Sequence, residues 1–227
     1  MRSRIAGTMV LAGRAGLLAI FAALVWVSVA DAKAVKCKKT FFPATGQTTS
    51  ETAGDDGDIE AGATLNYTDN GDGTITDNNT RLMWEKKNSA GGGANSANLH
   101  DADNEYTWDA TNTGFDSIWV WLGAVNSEGG TGFAGYSDWR IPNVKELFSI
   151  IDYGRSVPAA DPAFGDALCC WPGFADAVLY WSSTTPFALL NAFPPVRETV
   201  QFNVGGVEGR QSIASHFVRA VRGGCLD

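Results

Sequence analysis

Only two histidines, His100 and His216, and four cysteines occur in the 227 residues, and no two cysteines have C-x-x-C spacing. A zinc centre would be short of ligands, so no metal site is expected. Basic residues are also few. Seventeen Lys and Arg stand against 25 Asp and Glu, a net charge of −8, which is a poor electrostatic match for nucleic acid or anionic lipid. Arg219 and Arg222 could still form a local basic patch. There is no nucleophile elbow, Walker loop, H-E-x-x-H or dinucleotide fingerprint, so neither an enzyme nor a cofactor is expected. The carboxylates of Asp101 and Asp103 have no base or metal partner nearby in sequence and are read as solvated.

Long apolar runs are missing except for one at the start. Arg2, Arg4 and Arg14 precede the apolar and small residues 15–30, and Ala30-Asp31-Ala32 follows as an A-x-A pattern. These are the three parts of a secretory signal, expected to be cut after Ala32. The 16 residues between Arg14 and Asp31 make roughly 24 Å of helix at about 1.5 Å per residue. A bilayer core needs roughly 30 Å, so an uncleaved anchor is the less favoured reading. Cleavage removes three basic residues and one acidic residue and leaves a net charge of −10. The remaining 195 residues suffice for one domain with a real core. A secreted, periplasmic or cell-surface location follows, with membrane contact only through the signal segment if it stays uncut.

An even number of cysteines behind such a segment favours disulfides. Cys37, Cys169, Cys170 and Cys225 allow three pairings. Cys169 and Cys170 can each bond outward, to Cys37 and Cys225. Alternatively Cys37 ties to Cys225, leaving a vicinal bond or free thiols.

Residues 33–63 read as a flexible, solvated leader carrying Asp55, Asp56, Asp58 and Glu60, with the structured domain over 64–227. Leu65 and Tyr67 alternate with polar residues, Thr74 to Thr76 form a second short strand and Arg81 to Trp84 a third, so a β-meander is expected. Its Asp69-Asn70-Gly71-Asp72-Gly73 turn does not fit an EF-hand in either register: from Asp69 the third and fifth positions are glycines, and from Asn70 the twelfth is Arg81. Phe115, Ile118, Trp119 and Leu122 share one helical face, with Thr113 and Asp116 spaced as a capping box. Val144, Leu147, Phe148 and Ile151 repeat that spacing behind Asn143 and Glu146, and Gly154 ends this second helix. Strands are expected at Leu179–Ser182, Thr199–Val204 and His216–Arg222. The pattern is α+β: antiparallel strands, two helices and long loops.

Several blocks occur in an order that resembles the Lcl C-terminal domain family. They are Tyr67-Thr68-Asp69-Asn70-Gly71-Asp72-Gly73-Thr74, Leu82-Met83-Trp84, Ser137-Asp138-Trp139-Arg140-Ile141-Pro142-Asn143-Val144-Lys145-Glu146-Leu147, Tyr180-Trp181-Ser182-Ser183 and Val218-Arg219-Ala220-Val221-Arg222. The resemblance covers about residues 64–224. It implies a C-type-lectin-like fold, related to the formylglycine-generating-enzyme architecture, in an exported bacterial protein. It also implies adhesion, which in the founding member includes binding of sulfated glycans. Four features depart from the pattern: Ile141 replaces leucine, Arg81 stands where glycine is common, loops 87–106 and 154–179 are long, and no collagen-like stalk precedes the domain. A net charge of −10 does not suit sulfated glycans, so that ligand is not carried over.

The signature residues Trp84, Trp139, Arg140, Pro142, Asn143, Glu146, Trp181, Arg219 and Arg222 are assigned structural roles. Trp139 would be core, Arg140 would meet a carboxylate or carbonyls, and Glu146 would cap a helix. Partner choice would sit on loops 87–114, 154–179 and 185–198, because binding concentrates on loops held by a rigid scaffold. The partner class is a glycan or an envelope or surface protein. An envelope structural component acting through protein contacts is the alternative. Pro186–Val196 is apolar but broken by three prolines, so it is a connection. Its Phe187, Leu189, Leu190 and Phe193 either fold back as a satellite core or form an exposed interaction patch.

Overall fold

Turn chemistry sets up the first sheet. In the computed structural model, which describes residues 42–88, 93–109, 111–156, 158–165 and 178–224, β1 (Tyr67–Asp69), β2 (Thr74–Asp77) and β3 (Leu82–Glu85) form the expected antiparallel meander. Asp69 accepts from the Gly71 N–H and Asp72 from the Thr74 N–H, closing the first turn. Asp77 accepts from Asn79 and Thr80 and closes the second. Such Asx turns fix the reversal locally. The signal segment and all four cysteines lie outside the described residues.

Upstream of the meander, residues 42–63 are largely solvated, as expected, but they also carry defined hydrogen bonds. Ala44 and Ala63 bond each other's strand of chain, Thr45 O accepts from the Tyr153 N–H, and Asp55 caps a single helical turn, α1 (Asp56–Ile59).

The two further helices differ from expectation. Helix α2 (Ile118–Ser127) starts at Ser117, so Phe115 precedes it and is exposed; the buried face is Ile118, Trp121 and Val125. The Thr113–Asp116 capping box does not form. Instead the Asp116 carbonyl accepts from Thr107 N–H, which ties the chain ahead of the helix to β4 (Tyr106–Thr107). Helix α3 (Val144–Phe148) carries the expected capping box: the Glu146 N–H donates to the Asn143 side chain, and the Glu146 carboxylate accepts from the Asn143 N–H. It ends at Ser149 rather than Gly154, because Ile151 leaves to bridge Ala160.

Downstream, β5 (Leu179–Trp181), β6 (Val196–Gln201) and β7 (Gly206–Gln211) form an antiparallel sheet. The hairpin is as expected, but β6 ends at Gln201, so Val204 falls in the turn and is exposed. The single strand expected over His216–Arg222 is two. β8 (Ser215–His216) pairs with β4, and β9 (Val221–Gly223) joins β3. Between them Phe217 bridges Tyr180, so the chain crosses from one sheet to another within five residues.

Two apolar clusters result. One packs the meander and β9 against α3, Phe164 and the β5–β6 pair through Ile75, Trp84, Leu147, Tyr180 and Val200. The other surrounds α2 with Trp108, Trp121, Trp139 and Trp181. Among the described residues no helix is long and apolar enough to cross a membrane.

Candidate functional site

Strand β3 carries a carboxylate into the interior. Glu85 is fully buried at its last position and meets Lys87 at 2.8 Å and His100 Nδ1 at 2.6 Å, while its second oxygen accepts from the Ala220 N–H at 2.8 Å. His100 Nε2 reaches Glu128 at 3.0 Å, and the His100 ring packs on Phe133 with centroids 3.9 Å apart. Both imidazole nitrogens thus face carboxylate oxygens, an arrangement satisfied when both carry protons. Burial disfavours charge on His100, but the hydrogen bonds and charge of Glu85, with Glu128 behind, outweigh it and raise its pKa. Burial opposes ionisation of Glu85 as well, and Lys87 and His100 reverse that, so its pKa falls. Burial dominates at Lys87 and lowers its pKa against the pull of Glu85.

Arg219 lies beside this cluster, fully buried, with Nη1 donating to the Glu85 carbonyl and the guanidinium 5.4 Å from the Phe164 ring. It cannot contribute to a surface basic patch, and that expectation is corrected. Its neighbour in the signature, Arg222, is bound to Asp138 by two bonds of 2.6 and 3.2 Å and stacks on Tyr136 at 3.7 Å. Asp101 is also corrected from solvated to buried: its side chain accepts from the Asp103 N–H, and its chain bridges Asn88.

The remaining signature residues hold elements together. Trp139 is buried and donates its indole N–H to the Phe133 carbonyl at 3.0 Å; Trp181 donates to the Tyr106 carbonyl at 2.6 Å. Trp84 is fully buried against Phe164. Pro142 is buried, and its carbonyl accepts from Ser183. Arg140 grips Glu146 through two bonds of 2.8 and 2.6 Å, so Glu146 both caps α3 and binds a guanidinium. This pair forms one wall of a mainly apolar groove of about 1080 Å³, shared with Leu82, Phe148, Tyr153 and residues 42–45.

Two surfaces remain open. On the first, Trp119 is 41% exposed, yet its indole N–H donates to the Trp108 carbonyl at 3.2 Å and its ring stands edge-on to Trp108 at 5.1 Å. Trp108 in turn lies under Arg197. The exposed Phe115 is on the preceding loop, where the Asp109 side chain accepts from the Thr111 N–H and that of Asn112 from the Gly114 N–H. The second surface is the Pro186–Val196 connection. Its Phe187 and Phe193 are 89% and 96% exposed, and Leu189 and Leu190 are exposed as well, so these side chains do not form a satellite core.

Periodicity did not reveal the Glu85–Lys87–His100 cluster. Lys87 read as the start of a flexible loop, and His100 was considered only as a metal ligand. The local hint is that Glu85 and Lys87, two positions apart, share one parity at and just past the end of a buried strand. Among the described residues no group of His, Cys, Asp and Glu is placed to hold a metal ion.

These features describe a mixed α and β module, mostly antiparallel strands in three sheets with few helices, with a buried Glu85–Lys87–His100 cluster and exposed aromatic residues on α2 and on its loops. The family model described as the Lcl C-terminal domain matches residues 73–222, and the chain belongs to that family. No curated protein matches it. Within the matched span Arg81 has φ +64°, a left-handed conformation that glycine adopts without penalty.

Proposed function

We propose that this chain is an exported bacterial binding module of the adhesion type, with a C-type-lectin-like arrangement and no catalytic role. The observation that carries this reading is Trp119. Its ring is anchored by a hydrogen bond and a T-shaped contact to Trp108, and the residue is still 41% exposed, four positions after the exposed Phe115. A fixed aromatic face binds a flat apolar surface at little entropic cost, and the face of a sugar ring is such a surface. The negative net charge favours a neutral glycan over a sulfated one.

A non-enzymatic role is supported by the engagement of the most perturbed acid: Glu85 is spent on Lys87, His100 and a backbone N–H. Export is supported by the Arg-flanked apolar segment and the Ala30-Asp31-Ala32 pattern. The mature protein should begin at Lys33 or within a few residues of it, as read by mass spectrometry of exported material; a mature protein retaining Met1 would remove that part of the reading. A second reading, an envelope component working through protein contacts, is favoured by the exposed Phe187, Leu190 and Phe193. A glycan array decides between them: specific retention supports the first, and silence across the array together with stable self-assembly supports the second.

A further inference from the structure

The three-stranded sheet ends in β7, and no strand lies beyond it among the described residues. The register fixes which backbone groups are free. Thr199 pairs with Glu208 and Arg197 with Arg210, and one step further Ser212 N–H donates to the Pro195 carbonyl at 2.7 Å. Thr199 Oγ1 also donates to the Glu208 carbonyl. Glu208 and Arg210 therefore aim their N–H and C=O groups at β6. By the alternation of an antiparallel ladder, those of Val207, Gly209 and Gln211 aim outward. Among the described residues no hydrogen bond takes up the groups of Val207 or Gly209, and the Gln211 carbonyl accepts from Ala214. An open edge of this length is a template for another strand.

We propose that a second copy of this chain pairs antiparallel on β7 about a two-fold axis through Gly209. Charge selects this register. Outward groups can meet outward groups across a two-fold axis centred on Glu208, Gly209 or Arg210. The first sets Glu208 against Glu208, and the last sets Arg210 against Arg210. Only the Gly209-centred register sets Glu208 against Arg210, twice, at the non-hydrogen-bonded positions where opposed side chains come closest. Within one chain Glu208 and Arg210 already form an exposed ion pair, so crosswise pairing exchanges one partner for another.

Apolar surface meets at the same place. A Cβ on Gly209 would lie 3.9 Å from Leu189 Cδ1, so the 186–195 connection sits on one face of this edge. A two-fold axis perpendicular to the sheet keeps both connections on that face and brings Leu189 and its exposed neighbours Phe187 and Leu190 toward their counterparts. Isologous contacts of this kind are the commonest in homo-oligomers.

The test is the mass of the purified protein in solution, by light scattering on a sizing column, for the wild type, Glu208→Arg and the charge-swapped Glu208→Arg/Arg210→Glu. The wild type should elute at twice the chain mass. Glu208→Arg sets like charges together and should halve that mass at unchanged melting temperature, and the swap should restore the dimer. A monomeric wild type, a dimer indifferent to Glu208→Arg, or a swap that remains monomeric would each overturn the proposal.

Discussion

The Lys87 ammonium lies 2.8 Å from the Glu85 carboxylate, with 2% and 0% of the two side chains exposed. Ions taken this far out of water are held by their partners, and removing one partner leaves the other uncompensated, typically at a cost of about 3–5 kcal/mol. Glu85 faces Lys87 and His100 through its side chain and Arg219 through its carbonyl. Glu85→Gln should therefore destabilise more than Lys87→Met, which leaves the carboxylate its histidine and the Ala220 N–H. Urea unfolding of the two variants measures the difference. Equal losses, or losses below about 1 kcal/mol, would mean that the cluster is not the electrostatic centre of the fold.

The two histidines should tilt stability with pH in opposite senses. His100 has a folded pKa raised above its ordinary 6.5 by Glu85 and Glu128 against burial. Its stabilisation is complete below 6.5 and is lost as pH rises through the raised value. His216 is pushed down to about 4 by burial and by Arg210. Its contribution is complete above 6.5 and is lost as pH falls toward about 4. In melting temperature against pH, His100→Gln should flatten the alkaline limb and His216→Phe the acid limb. The reverse assignment would contradict the hydrogen-bond geometry around His100.

Asn143→Ala removes one half of the capping box on α3 and should cost about 0.5–2 kcal/mol while leaving ligand binding unchanged. Calorimetry gives the first quantity and the binding isotherm the second. Lost binding at retained stability would move Asn143 from scaffold to ligand contact.

How much of this was legible in the sequence follows from the range of the forces involved. The meander and the α3 cap were readable because Asp69, Asp72, Asp77, Asn143 and Glu146 act within a few residues of themselves. The face of α2 was misassigned by counting Phe115 into a helix that begins after Ser117, since the spacing of apolar residues does not mark where the coil starts. The last strand reads as one because Phe217 to Val221 is apolar apart from Arg219, although the segment serves two sheets. The buried charges were hidden most deeply. Glu85 and Arg219 are 134 positions apart, and each alone has the sequence character of a surface residue. Trp119 likewise falls on the shared apolar face in sequence, because amphipathic spacing does not distinguish a buried tryptophan from a half-exposed one whose indole N–H is held by a neighbour's carbonyl.

Trp119 is proposed to present a binding face, and the affinity of Trp119→Ala and Phe115→Ala for whichever glycan retains the wild-type protein on an array tests it directly. The expected result is loss of binding in Trp119→Ala and weakening in Phe115→Ala. Base–aromatic stacking, a comparable contact, contributes about 1–3 kcal/mol per base, so the first loss should be at least several-fold. Phe115 lies ahead of α2 and is exposed, so its variant keeps the fold intact. Wild-type affinity in both folded variants, or no glycan retained by the wild type at all, would contradict the claim.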